Sequence, residues 1–428
     1  MIPYKQAYKM LEKYLSRHPL QHGELGSSMN TAVVVVIPAY KEEDYLAATL
    51  NSLKNCEQPK GNIRLVIVLN SSIDDENQEV EMRQKELAQK AAADTPSWLS
   101  VDILEARRLP KKHFGAGLAR RIGMDAAADL FYRENNPDGI IVALDADTTV
   151  ERTYFKAIEE WFSVPGRSGA NIFFEHPIEG EEYPAAIYEA IIKYELHLRY
   201  MKLAHSYAGF LYPFHSMGSA MAMRAVSYAR AGGMPRKQAG EDFYFLQKFI
   251  PLGGFGELNN CTVFPSPRLS DRVIFGTGAA ITAHLGGSDL AGLTYNIQAF
   301  EDLKQFFEVK GELFEVAADA YESWTYKLTG PMRSFLLNSG FFDELEVIKR
   351  DCATRAGFDK RFFELFNAFK VVKYLNYSHG YFYERTPVFD MAIELSDRLG
   401  ITDEELLSEK ELLLSYRKYE RENPLFVN

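Results

Sequence analysis

A chain of 428 residues has room for one large or two ordinary domains with substantial cores, and 46% hydrophobic with 25% charged residues is a globular composition. The formal net charge of −11 argues against duplex nucleic acid as a partner. It also requires that any anionic substrate be met by local arginines, backbone donors or a cation. The three cysteines, Cys56, Cys261 and Cys352, lie far apart with no C-x-x-C pair, which excludes a cysteine-based zinc site and fits a reducing compartment. The start, MIPYKQAYKM, lacks the basic-then-apolar order of a signal peptide. The longest apolar run, AVVVVI at 32–37, is strand-sized and far short of the roughly 20 residues that span a bilayer. The expectation is a cytoplasmic protein with no transmembrane segment.

Apolar positions at helical spacing (Tyr4, Ala7, Met10, Leu11, Tyr14, Leu15) predict a helix within 1–20, followed by a linker, GELGSSMN, at 23–30. β-Branched runs then alternate with amphipathic stretches: strands at 32–37, 65–69, 101–106 and 140–146, with helices at about 43–55, 76–93 and 116–133. Continuous apolar strands separated by helices predict an α/β fold with a doubly wound, mostly parallel sheet and helices on both faces. After 150 the alternation loosens. A helix at 151–163, a strand at 170–176, a long helix at about 182–205 and a strand of small residues at 216–224 are expected. Helices at about 225–231 and 241–249 and a strand at 256–264 complete this part. From about 290 onward only helices are expected, broken near Gly330-Pro331 and at Arg385-Thr386-Pro387. Their aromatics (Phe306, Phe307, Phe314, Tyr321, Trp324, Tyr326) stand at helical spacing, which favours a core over sugar-stacking faces.

The strongest chemical feature is Asp145-Ala146-Asp147 at the end of the IIVAL strand. In extended backbone, residues two apart project to the same side, so both carboxylates are expected together at the carboxyl edge of a parallel sheet, where ligands of such sheets bind. Two close carboxylates repel unless a positive group sits between them. A hard divalent cation, Mn²⁺ or Mg²⁺, is one solution, keeping positions open for phosphate oxygens. The plainer reading is a pair of caps for a helix starting near Thr149. Upstream, Ile37-Pro38-Ala39-Tyr40 leads into Lys41-Glu42-Glu43 at a strand-to-helix turn, where small residues permit close backbone approach and free N–H groups face a ligand.

Taken in order, VVVVIPAYKEE, VLNSSIDD, GAGLARRIGMDAA, ALDADT and GED at 240–242 resemble the family 2 glycosyltransferases with the GT-A fold, over roughly residues 31–250. The resemblance implies a nucleotide-diphospho-sugar donor, UDP- or GDP-linked, a divalent metal, and a carbohydrate or small hydroxylated acceptor attacked with inversion. It implies that Pro38, Ala39 and Glu42 lie against the nucleoside, that Asn70 stands where the family often carries an acid, and that Arg120 reaches the donor. Arg121 stands where Asn is usual; for both arginines the alternative is a solvated helix face. Asp145 would contact ribose or metal, and Asp147 the metal, with His284 as a late third ligand. Asp242 would be the catalytic base, with Glu241 beside it; at a helix N-terminus the dipole is expected to keep Asp242 ionised but weaken it as a base. Between Ser266 and Gly278, Arg268 and Arg272 mark a loop able to close on a diphosphate or an anionic acceptor, with Arg272 assigned to the donor.

The expected organisation is therefore an N-terminal helix and linker at 1–30, a GT-A catalytic domain at 31–288 and a helical C-terminal region at 289–428. Three other functions share these features: a retaining transferase acting on a small anionic acceptor, a nucleotidyltransferase, and a non-catalytic nucleotide-sugar-binding protein. Oligomeric state is not encoded in any motif.

Overall fold

The computed structural model describes every residue except 1, 27–29, 75–77, 111–113, 238–239, 271–275, 289 and 403–407. Part of the expected linker and Arg272 lie outside the described residues. The chain opens with α1 (Tyr4–Arg17), β1 (Thr31–Ala39), α2 (Leu46–Lys54), β2 (Asn62–Ser72), α3 (Gln78–Ala93), β3 (Leu99–Leu109), α4 (Ala116–Arg133) and β4 (Ile140–Ala143). It continues through β5 (Thr148–Val150), α5 (Tyr154–Ser163), β6 (Gly169–Phe174), α6 (Ala185–Tyr207), β7 (Met221–Arg224), α7 (Ala225–Arg230), α8 (Glu241–Phe249) and β8 (Phe255–Pro265). Then come α9 (Thr277–Leu285), the short β9 (Leu293–Thr294), α10 (Ile297–Val309), α11 (Tyr321–Trp324), α12 (Gly330–Asn338), α13 (Phe341–Arg350), α14 (Arg355–Leu365) and α15 (Ala368–Tyr381). Last are β10 (Thr386–Pro387), α16 (Val388–Leu399), α17 (Glu409–Glu422) and β11 (Phe426–Val427).

Two compact units form. The first comprises Met1–Tyr183, Ser216–Ala279 and Glu420–Asn428; the second comprises Pro184–His215 and Ala280–Tyr419. This division differs from a segmentation at 30/31 and 288/289. Ala7, Leu11 and Tyr14 bury α1 against α4 and α7 of the first unit, α6 packs with α10 and α16 in the second, and β11 pairs with β8 in the first.

The sheet of the first unit runs β11-β8-β6-β7-β4-β1-β2-β3, with β5 also on β8. The pairs β3-β2, β2-β1 and β1-β4 are parallel. Val33 to Ile37 are fully buried, as a strand covered on both faces requires, and this is why β1 reads as an unbroken β-branched run. β7 enters antiparallel between β4 and β6, so the sheet is parallel on one side and mixed on the other. α4 lies close on β1 and β2. A Cβ on its Gly123 would stand 2.3 Å from Val36 Cγ1. Because β1 is flanked by β2 and β4, the connections diverge there, and a crevice opens beyond its carboxyl end.

Three expectations change at this edge and beyond. The fourth strand stops at Ala143, so Asp145 and Asp147 sit in a turn, not in extended backbone. The residues after Asp147 form β5 against β8 instead of a helix, and Ser266 N donates to the Asp147 carbonyl at 3.1 Å. The C-terminal part is not wholly helical, since β9 and β10 form an antiparallel pair.

In the second unit, Phe306, Phe307, Tyr321 and Trp324 are buried, and Phe306 packs against Phe341, Phe362 and Phe366 with ring centroids 5.1–5.8 Å apart. Tyr326 is exposed. The fully buried Glu195 on α6 accepts two bonds of 2.7 Å from Arg417 on α17 and pairs with Arg199. Among the described residues, no helix is long and apolar enough to cross a membrane.

Candidate active site

The crevice at the end of β1 gathers its side chains from six places in the sequence. Pro38 and Ala39 close β1, in register with Val68 and Leu69 of β2. The chain then turns through Lys41, at a φ of 55°, to the buried Glu42. One register step further on β2 stands Asn70, also buried, whose side-chain carbonyl has no hydrogen-bond partner among the described residues. A buried acceptor left unpaired costs free energy that a ligand donor would recover.

Two guanidinium groups organise the carboxylates. Arg120, on α4, donates from Nη2 to Asp145 Oδ1 at 2.6 Å and from Nη1 to Glu241 Oε1, and its side chain is only 3% exposed. Its Nε finds no partner among the described residues. Burial works against its charge, but Asp145, Glu241 and Asp242 outweigh burial and hold the guanidinium above its ordinary value. Space for it comes from Gly218, where a Cβ would stand 2.6 Å from Nη2. The small-residue stretch 216–220 is therefore not a strand but the wall beside Arg120; β7 begins only at Met221.

Arg268, three residues beyond β8, donates from Nε to Asp147 Oδ2 at 2.6 Å and from Nη2 to both Glu42 oxygens at 2.7 and 2.8 Å. Its guanidinium lies over the Tyr45 ring, 4.2 Å from the centroid. Burial raises the Asp147 carboxyl above the usual carboxylate range; Arg268 offsets part of this, and the nearby charge of Asp145 adds to it. The rim is thus short of positive charge even with both arginines in place.

Asp242 stands in the first turn of α8, after Gly240 in a left-handed conformation at φ 68°, and accepts from the Phe243 N–H at 2.7 Å. Burial and the adjacent Glu241 push its carboxyl up to about 6, with Arg120 pulling the other way. The expected weakening by the helix dipole is therefore overturned: desolvation and a like charge dominate, and the group is a stronger base than an ordinary carboxylate.

Residues 34–226 match the profile of the family described as Glycosyl transferase family 2. This stretch is similar to family 2 glycosyltransferase domains. No curated protein matches the chain. Among solved structures, the chain is similar to S. aureus TarS 1–349 in complex with UDP-GlcNAc, at 14% identity over 87% of this chain and 95% of that one, with a TM-score of 0.39. It is similar to the mannosyltransferase PcManGT from Pyrobaculum calidifontis in complex with GDP-Man and Mn²⁺, at 13% identity over 98% and 96%, TM-score 0.35. A third is glucosyl-3-phosphoglycerate synthase from Mycobacterium tuberculosis in complex with UDP, at 14% identity over 62% and 85%, TM-score 0.31.

Within this site, Arg120, Asp145 and Glu241 share one cluster, Glu42 and Asp147 the other. The solvated-face alternative fails for Arg120 and Arg121, which are both buried. His284 lies in the last turn of α9, which falls in the second unit, while both aspartates belong to the first. Among the described residues, no group of three or more His, Cys, Asp or Glu is gathered to hold a metal. The donor set still suits a hard cation. Each aspartate commits one oxygen to an arginine, and Mg²⁺-type ions are commonly held by one or two carboxylates plus phosphate and water oxygens. Arg268 is the residue that motif reading undervalued: its partner Glu42 lies 226 positions away, and no local pattern joins them. The only signal was its place in the Ser266–Gly278 stretch.

Proposed function

We propose that the chain is a glycosyltransferase using a UDP- or GDP-linked donor and an acceptor hydroxyl on a carbohydrate or small hydroxylated molecule, with inversion, and that Asp145 and Asp147 would hold Mn²⁺ or Mg²⁺. The observation that carries this reading is the Asp242 carboxyl, raised to about 6 beside a rim of two aspartates held by arginines. Near neutral pH such a group is mostly ionised yet basic enough to take a hydroxyl proton. Pro38, Ala39, Glu42 and Asn70 form the nucleoside wall, and the unpaired Asn70 carbonyl suits a base or ribose donor. Arg268 and Arg272 meet the diphosphate, and Arg120 fixes Asp145 and Glu241 in place. The acceptor oxygen bonds to the anomeric carbon as the bond from that carbon to the diphosphate oxygen breaks, and Asp242 receives the proton. A bound divalent cation supplies Lewis-acid stabilisation of the departing nucleoside diphosphate.

The test is turnover of UDP- and GDP-sugars with Mn²⁺. Asp242→Asn and Asp147→Asn are each expected to lower turnover by about 10²–10⁴-fold with the circular-dichroism spectrum unchanged. Near-normal transfer by both variants would remove the assignments. The anomeric proton of the product, read by NMR, separates inversion from retention.

A further inference from the structure

The first unit contains a second cavity, of about 330 Å³, that none of the donor-site residues lines. Its walls come from the segment after α1 (His22), the end of β3 (Arg107, Arg108), α4 (Arg121, Asp125) and the loop between α7 and α8 (Arg236). On α4 the two sites use different stripes. At roughly 100° per residue, Leu118, Arg121, Ile122 and Asp125 fall on one side, while Gly117 and Arg120 fall on the side facing Glu241.

The charge inside the cavity is unusual for a chain of net charge −11. Of its four arginines, Arg107 is paired with Glu81 and Glu105, and Arg121 with Asp125. Asp125 is itself saturated by the Tyr14 and Tyr228 hydroxyls at 2.6 and 2.7 Å. Arg108 and Arg236, both solvent-exposed where they line the cavity, have no carboxylate partner among the described residues. Arg108 is also held at a φ of 55°, a conformation a long side chain rarely adopts, with its N–H donating to Ser71 Oγ at 3.3 Å. Planar guanidinium forks are matched to phosphate oxygens, and two unneutralised positive charges match one phosphomonoester dianion. The volume exceeds what a bare phosphate fills and lies in the small-ligand range of about 300–1,000 Å³.

We infer that this cavity binds a small phosphomonoester, separately from the nucleotide sugar, with Arg108 and Arg236 as its principal contacts. The two arginines sit on segments that lead into the donor site. Ser71, which accepts from Arg108, follows Asn70 on β2, and Arg236 lies on the loop running to Glu241 and Asp242. Binding here does not depend on the proposed transfer reaction.

The experiment is calorimetric titration of the full chain with glycerol 3-phosphate, alone and with saturating UDP or GDP. Wild-type protein is expected to bind it, Arg108→Gln and Arg236→Gln are each expected to weaken binding at least about tenfold by removing one bidentate partner, and Asp147→Asn and added nucleotide are expected to leave it unchanged. The inference is overturned if wild type does not bind, if both arginine variants bind within about twofold of wild type, or if nucleotide displaces the probe competitively. Failure of nucleotide binding with the arginine dependence intact would count against the donor-site reading alone.

Discussion

Arg120 and Arg268 do the same job, each joining one of the paired aspartates to a glutamate from elsewhere in the chain, but they are built differently. Arg120 projects from a helix seated on the parallel sheet, with Gly123 admitting Val36, Gly117 admitting Glu241 and Gly218 admitting the guanidinium itself. Arg268 comes from the segment after β8, rests on a tyrosine ring and is 13% exposed against 3% for Arg120. One half of the rim is thus part of the core, while the other is held by ion pairs and a tyrosine face on a loop. On the proposed function, the preformed half would orient the base and the exchangeable half would make way for a diphosphate and its cation.

Substitution at the two arginines breaks the comparison most sharply. Arg120→Gln leaves Asp145 and Glu241 without their buried counter-charge and is expected to cost about 3–5 kcal/mol in urea unfolding. Arg268→Gln leaves the partly buried Glu42 and Asp147 unpaired but removes a more exposed guanidinium than Arg120, and is expected to cost less, about 2 kcal/mol. Added Mn²⁺ is expected to recover the melting temperature of Arg268→Gln, where an ion can replace the lost charge, but not that of Arg120→Gln. Equal losses at the two sites would erase the distinction. Next in size is Gly218→Ala, whose methyl meets a guanidinium that cannot swing away; a loss of about 1–3 kcal/mol is expected, with kcat falling more than KM rises.

The smallest effect is the pH response of the preformed half. With the Asp242 carboxyl at about 6, kcat/KM should fall with decreasing pH through a limb near 6, where an ordinary carboxylate would place it near 4. The same raised value makes ionised Asp242 a burden on the fold. Its stabilising contribution is complete below the unfolded-state carboxylate range and is lost as pH rises through about 6, so Asp242→Asn should be more stable than wild type at pH 7.5, by about 1 kcal/mol. A limb near 4, together with no stabilisation, would mean that Asp242 is solvated.

What could be read from the sequence divides along the same line. The parallel half was legible, because Val33–Ile37, Leu65–Leu69 and Ile140–Ala143 are buried on both faces and so appear as unbroken apolar runs. In the mixed half β6, β7 and β8 were expected as strands but their pairing was not: β7 lies antiparallel between β4 and β6, and the three-residue β5 takes its place on β8, more than 100 positions away. At the site, Asp145, Asp147, Glu241 and Asp242 declared themselves by motif. Their neighbours did not. Whether Arg120 and Arg121 are buried or solvated depends on what covers α4, and the Arg268–Glu42 pair spans 226 positions. The raised Asp242 carboxyl was hidden for a related reason, since a local sequence reveals the helix dipole but not the desolvation that overrides it.

Nucleotide affinity measured with and without Mn²⁺, in wild type and in Asp147→Asn, probes the exchangeable half most directly. Mn²⁺ is expected to tighten UDP or GDP binding to wild type by at least about tenfold, roughly 1.4 kcal/mol, and to change binding to Asp147→Asn by less than about twofold. If Mn²⁺ tightened both proteins equally, or neither, the rim aspartates would not be where the diphosphate is held.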